Sequence, residues 1–421
     1  MSTLTGYCKK IIKKFVEYRI VDDVKVFSLR HTPFRVTRSL KKIYENNWAG
    51  CEVESHKIVF DNYMGKGYGC NSKYVTQELL KRSAGLDIVW TVKNIEARRG
   101  EFPKGVRLVE YGSKEALKEY ASAKVWIGNY HLVAYLNKGL KKKPEQSYIQ
   151  MWHGSFGIKR IENDCGLLTA DKNWAYLAKE NSEYTDYWIS NSDYETQVYQ
   201  DSFWNVRHIL SYGHPRNDLF FSKNQEKIKQ KVRDYFGISD KKIMLYVPTY
   251  RDNVMESDFY PDYPMLLESL EHRFGGDWVL LLRLHPRMAD YASRLIPQQE
   301  NLIDATQYPD IQELLAVADS ALTDYSSSIF DYVLTGRPAF LFAGDLEKYE
   351  QVRGLYYPLS ETPFSIASNN DELRKNIESF DEPEYQKKAA CFLKEKKSYE
   401  DGHASGRVAD LIEKIVKREC V

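Results

Sequence analysis

Two histidines stand where chemistry is usually done. His153 lies in Met151-Trp152-His153-Gly154-Ser155, and His285, 132 positions later, lies in Leu282-Arg283-Leu284-His285-Pro286. Each follows an apolar, strand-like run and sits beside glycine or proline, so each imidazole is expected at a strand end. An imidazole with its ordinary pKa of about 6.5 is the side chain best matched to general-base work near neutrality. Gly154 lets backbone amides approach a ligand closely. A single histidine in a W-H-G turn is more often a structural residue with satisfied partners. The second half of the chain adds anion chemistry: Arg216 in Gly213-His214-Pro215-Arg216-Asn217-Asp218, Arg251 after Pro248-Thr249-Tyr250, Arg283 before His285, and Arg353 before Gly354. Guanidinium forks match phosphate oxygens bidentately. Asp324-Tyr325-Ser326-Ser327-Ser328 stands where a strand turns into a helix, so its hydroxyls and amides suit a phosphate or ribose. The same serines would equally serve as caps for the helix through Phe330–Leu334.

The elements that must position these residues alternate between strand and helix. Strands are expected at Lys57–Phe60, Asp87–Val92, Val106–Glu110, Val125–Gly128, Ser147–Gln150 and Trp188–Ser190, with helices such as Tyr74–Arg82 and Lys114–Ala121 between them. Lysine- and glutamine-rich sequence at Ser222–Lys231 interrupts the pattern and reads as a connection between domains. A second alternation has strands at Ile243–Val247, Trp278–Leu284, Ser320–Thr323 and Ala339–Phe342. Alternation of this kind makes parallel sheets, and open α/β sheets bind ligands at the carboxyl ends of their strands. Those ends carry nearly all the distinctive polar residues. The expected architecture is therefore α/β and GT-B-like: two Rossmann-like domains facing across a cleft, 51–225 and 226–421, the second closed by a C-terminal helix.

A basic amphipathic leader, residues 1–50, precedes them. It holds 11 Lys/Arg against 4 Asp/Glu in a chain whose net charge is only +1. Ile11, Ile12, Phe15 and Val16 fall on one side of a helix and Lys9, Lys10, Lys13 and Lys14 on the other, which fits a helix lying on an anionic membrane or one docked on the protein's own core. No stretch approaches the roughly 18 apolar residues of a membrane span, and no signal peptide is present, so the protein is expected on the cytoplasmic side. The six cysteines lack C-x-x-C spacing, which argues against zinc and disulfides. No phosphate-binding P-loop, dinucleotide fingerprint, H-E-x-x-H or G-x-S-x-G occurs. With the basic excess confined to the leader, nucleic acid is not an expected partner.

In order along 57–411, the motifs resemble the CDP-glycerol glycerophosphotransferases that build teichoic acids and related capsule polymers. Ile58–Tyr68 is similar to the family's opening strand and glycine turn, and Gln150-Met151-Trp152-His153-Gly154-Ser155 to Q-x-W-H-G-[TS]. Gly213–Asp218 resembles G-x-P-R-N-D, Tyr246–Asp252 resembles Y-x-P-T-[WY]-R-D, and Leu282–Pro286 resembles L-R-x-H-P. Thr323–Tyr332 is similar to T-D-Y-S-S-x-x-F-D-Y. Asp345–Tyr349 with Arg353-Gly354, and Asp401–Val408, complete the series. The resemblance implies that His153 and His285 are the catalytic histidines of the cleft. It further implies that the donor is held by residues drawn from Gly154, Ser155, Arg216, Pro248, Thr249, Arg251, Arg283, Asp324, Ser326, Ser327 and Arg353. The turn Gly154-Ser155-Phe156-Gly157 departs from the threonine and proline of many members and leaves glycerol against another polyol open.

The expected function is transfer of glycerol phosphate from CDP-glycerol to the terminal hydroxyl of a lipid-linked acceptor, with release of CMP, at the cytoplasmic face of the membrane. The acceptor hydroxyl is the nucleophile, so the protein needs a base, charge stabilisation and alignment. His153 is the candidate base, with Arg283, His285 and Arg216 on the pyrophosphate. No carboxylate cluster calls for an obligatory metal, and no cofactor is expected; a divalent ion carried in on the substrate's phosphates stays compatible. The rival readings are a CDP-ribitol enzyme, a GT-B sugar transferase using a nucleotide sugar, and a non-catalytic nucleotide- or lipid-binding scaffold.

Overall fold

The computed structural model describes residues 16–21, 24–29, 35–39, 48–82, 85–168, 172–249, 260–285, 288, 292 and 296–418. Strands β1 (Val16–Val21), β2 (Val24–Leu29) and β3 (Arg35–Ser39) form a small antiparallel sheet in that order. Val16, expected on the apolar side of the leader helix, instead opens β1. Lys9, Lys10, Ile11, Ile12, Lys13, Lys14 and Phe15 lie outside the described residues, as does Arg251.

The first domain is built on β4 (Glu54–Asp61), β5 (Asp87–Val92), β6 (Val106–Glu110), β7 (Ala123–Gly128), β8 (Ser147–Gln150), β9 (Tyr187–Ser190) and β10 (His208–Ser211). They pair in parallel in the order β10-β9-β8-β7-β4-β5-β6. The second domain carries β11 (Lys242–Val247), β12 (Trp278–Leu282), β13 (Leu302–Asp304), β14 (Ser320–Thr323), β15 (Ala339–Phe342) and β16 (Ser365–Ala367). These are also parallel, ordered β13-β12-β11-β14-β15-β16. The two-domain α/β architecture read from the sequence is the one observed. Central strands covered on both faces need unbroken apolar runs, and Trp278–Leu282 is buried at every position. β10, β13 and β16 are short edge strands that the sequence did not disclose.

Ser222–Lys231 does run between the last strand of the first sheet and the first strand of the second, and most of it is helical: Gln225–Phe236 is a helix, ended by Gly237 in the left-handed conformation. One expectation is corrected. The C-terminal helix Ala404–Lys417 does not close the second domain. It crosses back, and its buried stripe Val408, Leu411, Ile412 and Ile415 packs with Ile58, Phe60 and Val75 of the first domain. The i, i+3, i+4, i+7 spacing makes that stripe, and burying each large aliphatic side chain contributes about 1.5–3 kcal/mol. Asp218 fixes where the helix begins by accepting from Ala404 N (3.0 Å) and Ser405 N (2.7 Å). Traffic also runs the other way: Phe156 and Ile158, from the first half of the chain, belong to the second domain's core.

Candidate active site

Each sheet reverses its strand order once. In the first the chain leaves β4 toward β5 and returns beside it as β7; in the second it leaves β11 toward β12 and returns as β14. Crevices open at the carboxyl ends of such strand pairs. The two crevices meet in one cavity of about 470 Å³, lined from the first domain by Asn62, Tyr63, Lys66, His153 and Lys159 and from the second by Pro248, Thr249, Arg283, His285, Ser326 and Ser327.

His153 is held by a turn with little freedom. Gln150 Oε1 accepts from Trp152 N at 3.0 Å, and Asn71 Nδ2 donates to the carbonyls of Met151 (3.2 Å) and Trp152 (3.1 Å). The Trp152 ring is buried and stacks on Tyr130. His153 Nδ1 lies 2.9 Å from the main-chain oxygen of Asn129. A carbonyl only accepts, so Nδ1 carries the proton and Nε2 keeps its lone pair. Burial pushes the imidazole pKa down to about 3; Arg216, His131 and Lys159 push the same way, and the bond to Asn129 opposes them. The free-site imidazole is therefore neutral near pH 7, the form a base requires.

The arginines divide into two kinds. Arg216 is 2 % exposed, and its guanidinium grips Asp331 through Nε (2.8 Å) and Nη2 (3.2 Å) while Nη2 also donates to Gly154 O at 2.6 Å. Burial alone would lower its pKa, but Asp331 raises it well above the ordinary value. The Arg216 charge, expected on the pyrophosphate, is thus already matched by a carboxylate. Arg283 differs. Its Nη1 donates to the carbonyls of Ala305 (3.1 Å) and Tyr308 (2.6 Å), and burial pulls its pKa down to about 10. Arg283 is half-buried, its hydrogen bonds go to neutral carbonyls, and Asp310 and Asp304 offset only part of its desolvation, so an arriving anion would relieve it.

The other residues singled out in the sequence also separate. Ser326 and Ser327 line the cavity; Ser327 makes no side-chain cap bond to the short helix Ser328–Tyr332, and Ser326 Oγ bonds Ser328 Oγ at 3.0 Å. Thr249 and Pro248 line it too, and Thr249 N donates to both Asp324 oxygens at 3.0 Å. Asp324 itself is 3 % exposed and ties the end of β11 to that of β14. Ser155 is buried under Asn191 Nδ2 at 2.7 Å, and Gly154 offers its carbonyl to Arg216, so neither faces the cavity. Arg353 lines a different hollow with Arg160, Asp164 and Tyr356. The structure therefore gathers His153, His285, Arg283, Pro248, Thr249, Ser326 and Ser327, with Arg216 at the wall, and leaves Gly154, Ser155, Asp324 and Arg353 outside.

Several contributors were not foreseen. Asp331 and Asn217 anchor a polar network across the domain junction: Asn217 Nδ2 donates to Asp331 (3.1 Å) and Glu400 (2.7 Å), and Gln312 Nε2 donates to Asn217 Oδ1 (2.8 Å). Lys73 of the first domain pairs with Asp310 (2.6 Å) and Glu313 (2.7 Å) of the second. The sequence does contain Asn217 and Asp331 within its motifs, but nothing local shows that they face each other.

Comparison with known proteins agrees with this geometry. The model of the CDP-Glycerol:Poly(glycerophosphate) glycerophosphotransferase family matches residues 43–414. A teichoic acid poly(glycerol phosphate) polymerase of Staphylococcus epidermidis is 32 % identical over 93 % of this chain, which spans 56 % of that relative's length. A teichoic acid glycerol-phosphate transferase of Staphylococcus aureus is 30 % identical over 96 % of this chain and 99 % of its own. Among solved structures, that of the wall teichoic acid polymerase TagF superposes with a TM-score of 0.78 at 30 % identity, covering 90 % of this chain and 93 % of that one. A histidine-to-asparagine variant of TagF soaked with CDPG superposes with a TM-score of 0.77. No helix among the described residues is long and apolar enough to cross a membrane. With motifs, fold and family model in register over most of its length, this chain belongs to the CDP-glycerol:poly(glycerophosphate) glycerophosphotransferase family.

Proposed function

We propose that this protein transfers glycerol phosphate from CDP-glycerol to the terminal hydroxyl of a lipid-linked acceptor, as a peripheral enzyme at the cytoplasmic face of the membrane in teichoic acid synthesis. The observation that carries the reading is the family match together with one cavity lined by both the neutral imidazole of His153 and the partly desolvated cation of Arg283. In this reading the second domain takes the donor. Arg283 and His285 meet the diphosphate, Ser326 and Ser327 take phosphate or ribose oxygens, and Pro248 and Thr249 shape the nucleotide side. The first domain presents the acceptor to His153.

The acceptor hydroxyl attacks the phosphorus that bears glycerol. A new oxygen–phosphorus bond forms, the bond to the bridging oxygen breaks, and its electron pair leaves with CMP. The hydroxyl proton passes to His153 Nε2. CMP leaves as a stable phosphate and needs little protonation, so the work left to the second domain is to neutralise charge gathering on the bridging oxygen. Incubation with CDP-glycerol, CDP-ribitol and UDP-glucose in turn, each with a lipid-linked acceptor, tests this. CMP release matched by glycerol phosphate on the acceptor is expected; UDP release with hexose transfer would replace the reading.

A further inference from the structure

Backbone in the left-handed region gathers around His153. Trp152 before it has φ 48°, and the facing turn after β4 runs Tyr63 (φ 46°), Met64 (φ 60°) and Gly65 (φ 80°). Residues with a Cβ hold such conformations only where their surroundings over-determine them. Gln150 and Asn71 hold the Trp152 turn, and the Tyr63 turn leans on Asn129, fully buried directly after β7. Its Oδ1 accepts from Tyr63 N at 3.0 Å, its Nδ2 donates to Asn62 Oδ1 at 2.8 Å, and its main-chain oxygen takes His153 Nδ1–H at 2.9 Å. Asn62 is fixed in turn by donating to Gly67 O at 2.9 Å.

We infer that Asn129 is a positioning residue for the transfer: its main-chain carbonyl selects the tautomer of His153, and its side chain, by bonding Tyr63 N and Asn62 Oδ1, holds that carbonyl and the Tyr63 turn where the ring needs them. The inference rests on the proposed role of His153 as base. Two restraints on the imidazole converge on this one residue. Its carbonyl selects the Nδ1-protonated form, which leaves the Nε2 lone pair for a substrate proton. Its side chain fixes the Tyr63 turn, whose ring lies 4.9 Å from the imidazole, with the Trp152 ring at 4.4 Å and the Tyr130 ring at 5.4 Å. The amide serves both neighbours at once, since Tyr63 N needs an acceptor and Asn62 Oδ1 a donor. A carboxylate at 129 would keep the first bond and set oxygen against oxygen in the second. A residue that merely filled space would explain the burial but not why donor and acceptor are spent on the turn that carries one wall of the His153 ring, and the carbonyl on the ring itself.

The test reads the imidazole and the kinetics separately. By nitrogen-15 NMR with labelled histidine, the His153 resonances, identified by their loss in His153→Gln, should report the neutral Nδ1-protonated form in the wild-type protein and a mixed tautomer in Asn129→Ala, whose main-chain carbonyl remains but is no longer anchored through an amide to Tyr63 and Asn62. Displacing a reacting group by about an ångström costs on the order of 10²-fold, so kcat should fall by about that factor while the donor KM stays within about threefold. Asn129→Asp, which conserves volume, should show the same split if Asn129→Ala fails to fold. An Nε2-protonated His153 in the wild-type protein overturns the inference without any variant. So does a folded Asn129 variant with wild-type kcat, or one that loses activity with its tautomer unchanged. If His153→Gln itself stays active, it is the base assignment that falls, and the NMR result still decides what Asn129 does to the ring.

Discussion

Replacing Arg216 should damage the fold far more than it damages donor recognition. Its guanidinium and the Asp331 carboxylate are 2 % and 4 % exposed and meet through two bonds, at 2.8 and 3.2 Å. Arg216→Met leaves a buried carboxylate with only amide partners, from Asn217 and Gln312. Breaking one side of such a pair costs about 3–5 kcal/mol, and the lost bond to Gly154 O adds about 1 kcal/mol. That is a large fraction of a typical total of about 5–15 kcal/mol. Removing both charges should recover much of it, because a buried pair is roughly neutral against apolar residues of similar volume. Denaturant midpoints of the wild type, Arg216→Met, Asp331→Leu and the double variant give the coupling energy directly, which should be at least about 2 kcal/mol and favourable. Single variants each costing less than about 1 kcal/mol, with donor KM raised more than tenfold, would refute the reasoning and return Arg216 to the pyrophosphate.

Arg283→Ala should behave in the opposite way, with near wild-type stability and a kcat/KM for CDP-glycerol lower by about 10²-fold, the scale of a charge-assisted bond made to the reacting groups; steady-state kinetics beside a melting curve checks it. The pH profile of kcat/KM, which reports the free enzyme, should show no inflection from His153 near 6.5. Burial, Arg216, His131 and Lys159 hold that imidazole neutral down to about 3, so an acid limb at pH 6–7 that vanishes in His153→Gln would contradict the assignment. Burial also pushes the Glu400 carboxyl up to about 8, only partly opposed by Asn217 and Asn191. A raised acid binds its proton more tightly when folded, so its contribution to stability is present below the ordinary carboxyl pKa near 4.5 and is lost as pH rises toward 8. Glu400→Gln should flatten the stability profile over that window, as read by denaturation at several pH values. Lys9, Lys10, Lys13 and Lys14 changed together to Glu should weaken binding to anionic liposomes in a salt-dependent way and slow transfer to membrane acceptors but not to a soluble one; equal slowing on both with liposome binding intact would mean the segment serves the fold.

The sheets were legible because parallel central strands leave a strong local mark, as Trp278–Leu282 and Ile243–Val247 do, and because distinctive polar residues cluster just after them. The short edges β10, β13 and β16 left no such mark. What a side chain does at a strand end was less legible. Arg216 and Arg283 sit in equally suggestive motifs, yet one is sealed by a carboxylate 115 positions away and the other rests on carbonyls about 25 positions away. The apolar stripe of Ala404–Lys417 announced an amphipathic helix but not which sheet it would cover. That depends on the crossing near Glu400, where Asn191, Asn217 and His214 N converge on one carboxylate. Asn129 gave no signal at all, since an asparagine after a strand looks like any turn until the other end of its amide is seen.

The central claim is that the acceptor hydroxyl attacks the donor directly, with His153 removing its proton rather than forming a bond to phosphorus. The stereochemical course settles which. CDP-glycerol made chiral with sulfur at the glycerol-bearing phosphorus would be turned over once onto the acceptor and the product's configuration determined. A single in-line displacement predicts inversion; retention would mean two displacements through a phosphorylated residue, and the account of His153 as a base would be wrong.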